Sequence, residues 1–213
     1  MKQLYILLVV LVLAGMCLLT GCESSSNQAE QSSAASAPAP KPPSLYSGLQ
    51  AFNTAKALAL KWAPDAIPVK LESQVNSESN GQGGKATVWR AGFISPSQRT
   101  LKFFLCSGSR LHGAPPYGTS VDTEEPYGGD VASYGFQDIF LKVDSDKAYE
   151  VAQEHGGADL IKKNPDQPVT YFVVWNPKQK ALFWYVMYGK DKASSVGVGM
   201  VNALTGTFAG ASK

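Results

Sequence analysis

The sequence predicts an α+β fold made of two helix-plus-antiparallel-sheet units, and three observations carry that expectation. Residues 47–62 and 145–155 space their apolar side chains at helical intervals. Two pairs of β-branched and aromatic runs, 85–94 with 100–107 and 169–175 with 182–188, each enclose a short turn. The order helix, strand, turn, strand therefore occurs twice. The turns also line up, Ser95-Pro96-Ser97-Gln98-Arg99 against Asn176-Pro177-Lys178-Gln179-Lys180, which suggests a duplicated unit. The expected boundaries are 44–143 for the first unit, with a long loop, and 144–213 for the second.

The front of the chain has a different character. Lys2 precedes an apolar run over residues 4–19, which has signal-peptide length and is too short for a comfortable membrane span. It ends in Leu19-Thr20-Gly21-Cys22, which resembles the bacterial lipobox. That resemblance implies a signal peptide over 1–21 and a mature chain beginning at a lipidated Cys22, with acyl chains such as palmitate holding it to the membrane. Glu23 stands where inner-membrane retention signals usually carry Asp. The expected location is thus the cell envelope, at the outer membrane facing the periplasm in a Gram-negative source. Residues 22–43, rich in Ser, Gln, Ala and Pro, can bury no core. They read as a disordered tether, spanning about 25 Å as a flexible coil.

Composition narrows the rest. With 44% hydrophobic and 17% charged residues in 213, the chain has enough apolar mass for one domain or two small ones. A net charge of +2, with no stripe of Lys and Arg, argues against a nucleic-acid partner. Cys17 leaves with the signal and Cys22 carries lipid, so Cys106 is the one thiol left and no internal disulfide is expected.

Taken in order, Ser47 with Gln50 three residues on is a capping box. It opens a helix with Phe52, Ala55, Ala59 and Trp62 on one face, and Pro64 stops it. A short strand is expected at 67–71 and a polar loop at 72–84. On the strand 100–107, Leu101, Phe103 and Leu105 alternate with Lys102, Phe104 and Cys106. Both faces of that sheet are then covered, or one awaits a partner. Residues 107–134 lack periodicity and read as a long loop of the kind that carries function. A strand is expected at 137–143, a helix at 145–155 stopped by Gly156-Gly157, and a closing strand over 196–208.

The second unit resembles the PepSY family, small α+β modules of bacterial envelope proteins and peptidase propeptides. The helix Lys147-Ala148-Tyr149-Glu150-Val151-Ala152, the Gly-Gly after it and the aromatic hairpin carry the likeness. So does the ending Val201-Asn202-Ala203-Leu204-Thr205-Gly206-Thr207-Phe208. The resemblance covers about residues 145–210, and 47–107 only weakly. It implies a non-catalytic module that binds or restrains a protein or peptide partner such as a peptidase, and it brings no catalytic residues.

Candidate chemistry weighs the same way. Cys106, with His112 or His155 as base, could serve a hydrolase, but it sits in an apolar strand where cysteine acts as a small hydrophobe. His155 near a helix end complements the macrodipole. Two isolated histidines have no zinc-ligand spacing. Asp122, Glu124, Glu125 and Asp130 could hold calcium or supply a glycosidase pair, though a solvated acidic loop is the commoner case. Gly197 and Gly199 lack the residues of a phosphate loop. Tyr117, Tyr127, Tyr134 and Phe136 are the candidate binding surface; otherwise they cap the exposed side of the sheet. The expected function is a membrane-anchored, non-enzymatic envelope module without cofactor or metal that binds a protein or peptide. The alternatives are an envelope hydrolase using the 107–136 loop and a structural lipoprotein of an envelope assembly.

Overall fold

The computed structural model describes residues 41–129 and 134–212. The signal segment, Cys22, the tether up to residue 40, and Asp130 lie outside the described residues. The architecture is α+β, with one large antiparallel sheet and helices packed on one of its faces.

Helix α1 (Gly48–Trp62) begins as its sequence dictates. Ser47 caps it, its Oγ accepting from the Gln50 amide while Gln50 Oε1 accepts from the Ser47 amide at 3.0 Å. Ala51, Phe52, Ala55 and Ala59 turn inward and are buried. Strands β1 (Tyr46–Ser47) and β3 (Lys85–Ala86) form a two-residue ribbon beside it. Then follow β2 (Ile67–Gln74), β4 (Val88–Ser95), β5 (Thr100–Ser107) and β6 (Gly118–Pro126). The second half has α2 (Ser145–Ala152), the short α3 (Ala158–Lys163), and β7 (Val169–Asn176), β8 (Ala181–Tyr188), β9 (Val198–Asn202) and β10 (Phe208–Ser212).

The eight-stranded sheet runs β10-β9-β8-β7-β2-β4-β5-β6. Each half contributes a helix followed by a four-stranded meander, and the two meanders meet edge to edge where β2 pairs with β7. That seam has two residue pairs, Leu71 with Val173 and Glu72 with Phe172, whereas β7 and β8 pair from Val169–Tyr188 to Asn176–Ala181. Directly opposed residues share a face. Phe104, Ala91, Leu71, Val173, Trp184 and Val201 thus make one row toward the helices. Leu105, Arg90, Glu72, Phe172, Tyr185 and Met200 make the adjacent row on the opposite face.

The helix side holds the core. Trp184 is fully buried, donates from Nε1 to the Val143 carbonyl at 2.8 Å, and meets Trp89 edge-on at 6.2 Å. Tyr171, also buried, donates to the Gly81 carbonyl and accepts from the Gly84 amide. Burial raises the phenols of Tyr171 and Tyr188 above the ordinary 10.0. Below pH 10 these phenols are neutral folded and unfolded alike. Above it, the unfolded chain ionises first, so stability falls as pH rises beyond about 10. Thermal melts between pH 8 and 11 should show this loss, and Tyr171→Phe should make it shallower.

Several local expectations are corrected. The loop 107–134 contains β6, whose residues are almost all exposed, so no burial periodicity marks it. Strand β2 extends to Gln74, into the predicted polar loop. The predicted strand 137–143 is a single 3-10 turn, Asp138–Phe140, because the Lys142 and Val143 amides donate to one carbonyl, Ala203, rather than to a ladder. The helix 145–155 ends at Ala152. A wide turn, Gln153–Gly157, then leads into α3, with Gly156 at φ +104° and Gly157 leaving no room for a Cβ against the Tyr188 hydroxyl. The closing strand 196–208 is two strands around a turn. Asn202 Oδ1 accepts from the Leu204 and Thr205 amides, and Gly206 takes φ +77°.

The matched turns share a geometry. Arg99 (φ +54°) and Lys180 (φ +49°) are the non-glycine residues with positive φ among those described. Four residues before each turn opens, however, Ala91 faces the helices while Phe172 faces away from them. The same turn chemistry has been used on opposite sides of the sheet.

Candidate functional site

The face of the sheet opposite the helices carries half-buried and buried apolar side chains. Strand alternation places Phe172 and Val174 of β7, Tyr185 and Met187 of β8, and Val198 of β9 on it. Phe172 and Tyr185 stack at 4.8 Å with their planes 3° apart. Around them lies an open groove of about 900 Å³, bounded by Lys70, Glu72, Gln74, Ser212 and the loop bearing Lys190, Asp191 and Lys192. The Thr170 hydroxyl donates to the Gly189 carbonyl at 2.7 Å, fastening that loop to the end of β7.

The polar groups of the rim differ in how far they are already satisfied. Glu72 pairs with Lys70 and, at 3.3 Å, with Arg90. Arg90 also reaches Asp122 at 2.6 Å and lies 3.5 Å over the Phe103 ring. Asp191 accepts from the Ser194 amide and hydroxyl, both at 2.8 Å, and those bonds hold its carboxyl below the usual range. Lys190 and Lys192 enter no salt bridge among the described residues. The groove is thus an apolar floor with Lys190, Lys192 and the Asp191 carboxylate at one end, where Lys190 helps keep that carboxyl ionised. It is long enough to hold an extended chain.

The sequence-predicted surface does not assemble. Tyr117 and Tyr127 flank the nine-residue β6 at its two ends, about 34 Å apart at 3.4 Å per residue. Tyr117 shares a hydrogen bond with Ser44 Oγ at 2.9 Å, and the Arg110 guanidinium stacks 3.7 Å from its ring. The Tyr127 amide donates to the Arg99 carbonyl. Tyr134 is exposed, but Phe136 is buried against Phe52 at 6.1 Å, so it is a core residue with an edge on a separate cleft of about 440 Å³.

The other candidates disperse as well. Cys106 is buried on the helix face opposite Trp89, and desolvation raises its thiol pKa. His155 stacks on Phe208 at 4.0 Å and donates from Nδ1 to the Val151 carbonyl at 2.8 Å. Asp122 turns to Arg90 and Glu124 to Lys102. Among the described residues, no group of three or more His, Cys, Asp or Glu side chains is placed to hold a metal ion.

Sequence reading missed Phe172, Val174, Tyr185 and Met187 as a site. The available signal was their alternation with the core residues Tyr171, Val173, Trp184 and Val186, which makes both faces of the hairpin apolar. Comparison with protein families, curated proteins and solved structures finds no match to this chain.

Proposed function

We propose that this chain is a lipoprotein anchored to the bacterial envelope through Cys22, whose folded domain is a non-catalytic module binding a protein or peptide partner. The observation that carries the binding role is the groove beside the stacked Phe172 and Tyr185. An open groove with an apolar floor and a few polar groups at its rim is the usual form of a binding site. The anchoring role rests on the lipobox-like ending of the apolar leader. The order of a helix and then a four-stranded meander, found in each half, supports descent from one duplicated unit. The PepSY likeness is part of the same reading, with the partner-restraining role it implies.

The test uses the full chain in cells. A photo-crosslinking amino acid at Val174 should give one discrete adduct, and Tyr185→Ala should reduce it about tenfold through lost aromatic contact. Cys22→Ala should abolish incorporation of an alkynyl palmitate analogue and move the chain out of the membrane pellet. Absence of any adduct would overturn the binding role. Membrane retention of the Cys22→Ala chain would overturn the anchor.

A further inference from the structure

The groove's charge is asymmetric, and that narrows the class of partner. Glu72 is paired with Lys70 and Arg90. Asp191, the carboxylate between Lys190 and Lys192, is held by Ser194 and by the charge of Lys190, so two lysines against one carboxylate leave that end net positive. Lys190 and Lys192 stand at one end on a loop fixed to β7 by Thr170. The floor between the levels of Thr170 and Val174 spans four residues of strand, about 14 Å. From these features we infer that the groove takes an extended, acidic peptide segment of a partner protein. Apolar side chains of that segment lie on Phe172 and Tyr185, and an Asp or Glu reaches Lys190 and Lys192. This deepens the binding-module reading and rests on it.

The rim favours a peptide over a lipid chain of similar charge. Gln74 and Ser212 are exposed beside the apolar floor and offer an amide and a hydroxyl. A peptide backbone, with a donor and an acceptor at every residue, uses such groups, whereas an alkyl chain leaves them idle. An acyl chain would also need an enclosed tunnel to leave water, and this groove lies open along the sheet.

The experiment compares two fluorescein-labelled nonapeptides with the same phenylalanine–valine core, one flanked by glutamates and one by lysines, binding the full-length chain in detergent micelles. The glutamate peptide should bind about tenfold more tightly at low salt, a difference that two exposed ion pairs can supply. Lys190→Ala combined with Lys192→Ala should erase that preference, as should 1 M salt, where the Debye length is about 3 Å. Tyr185→Ala should weaken both peptides alike. Equal binding of the two peptides would overturn the inference. So would displacement of the glutamate peptide by oleate at lower concentration than by its own unlabelled form. If neither peptide binds while the Val174 cross-link persists in cells, the acidic-segment inference fails and the binding-module reading stands. Loss of the cross-link as well defeats both.

Discussion

Replacing Trp184 with alanine should cost about 4 kcal/mol, and the thermal midpoint should fall by roughly 10 °C. The indole is fully buried in the row that crosses the sheet, and its removal also orphans the Val143 carbonyl. A second substitution makes the test sharper. Gly48, the first residue of α1, lies against the Trp184 ring so closely that a Cβ there has no room. Gly48→Ala should therefore destabilise the native chain by about 2 kcal/mol, as overpacking does. In the Trp184→Ala background the same change should be neutral or stabilising, because alanine is the better helix former and the space is now vacant. A double-mutant cycle by denaturant unfolding measures this reversal. Additive costs would mean that Gly48 and Trp184 are not coupled.

Asp144→Ala should be the next most damaging change, at about 3 kcal/mol. This carboxylate serves two helices at once. It accepts from the Ser145 amide at the start of α2, at 2.7 Å, from the Leu49 amide at the start of α1, at 2.9 Å, and from the Ser47 hydroxyl, at 2.6 Å. Ser145 completes the junction, its Oγ accepting from the Gly48 amide and donating to the Gly84 carbonyl. Each helix N-terminus carries partial positive charge, so one anion between the two is favourable for both. Asp144→Asn, which keeps one acceptor oxygen, should recover about half the loss in urea titrations. If alanine and asparagine cost the same, the retained acceptor oxygen rescues nothing and the negative charge carries the effect.

Where the sequence could be read, local chemistry explained the structure. Ser47 and Gln50 form the capping box their spacing implies, and the Pro-containing turns at 95–99 and 176–180 hold their hairpins. The failures have physical causes too. Strand β6 is exposed along its length, so periodicity had nothing to report. The turn at Asp138–Phe140 is held by Lys56 and the Ala203 carbonyl, partners more than 60 residues away in the chain. Tyr117 and Phe136 looked alike as aromatics in a Gly- and Pro-rich stretch. One is exposed beside Ser44 and the other is core, a difference set by which strand each segment abuts. The groove was hidden for the converse reason. Phe172 and Tyr185 read as core residues until the helices are placed on the other side.

The two-pair seam between β2 and β7 also sets an order of events in folding. Leu71 and Val173 come together only by closing a loop of about a hundred residues, whereas the strands of each meander are joined by connections of about four to thirteen. By loop-closure entropy the hairpins of each meander are expected to form before the seam that joins them. Leu71→Ala and Val173→Ala should then give φ-values near zero. Weakening the seam should therefore accelerate unfolding and leave the folding rate almost untouched, which stopped-flow chevrons measure.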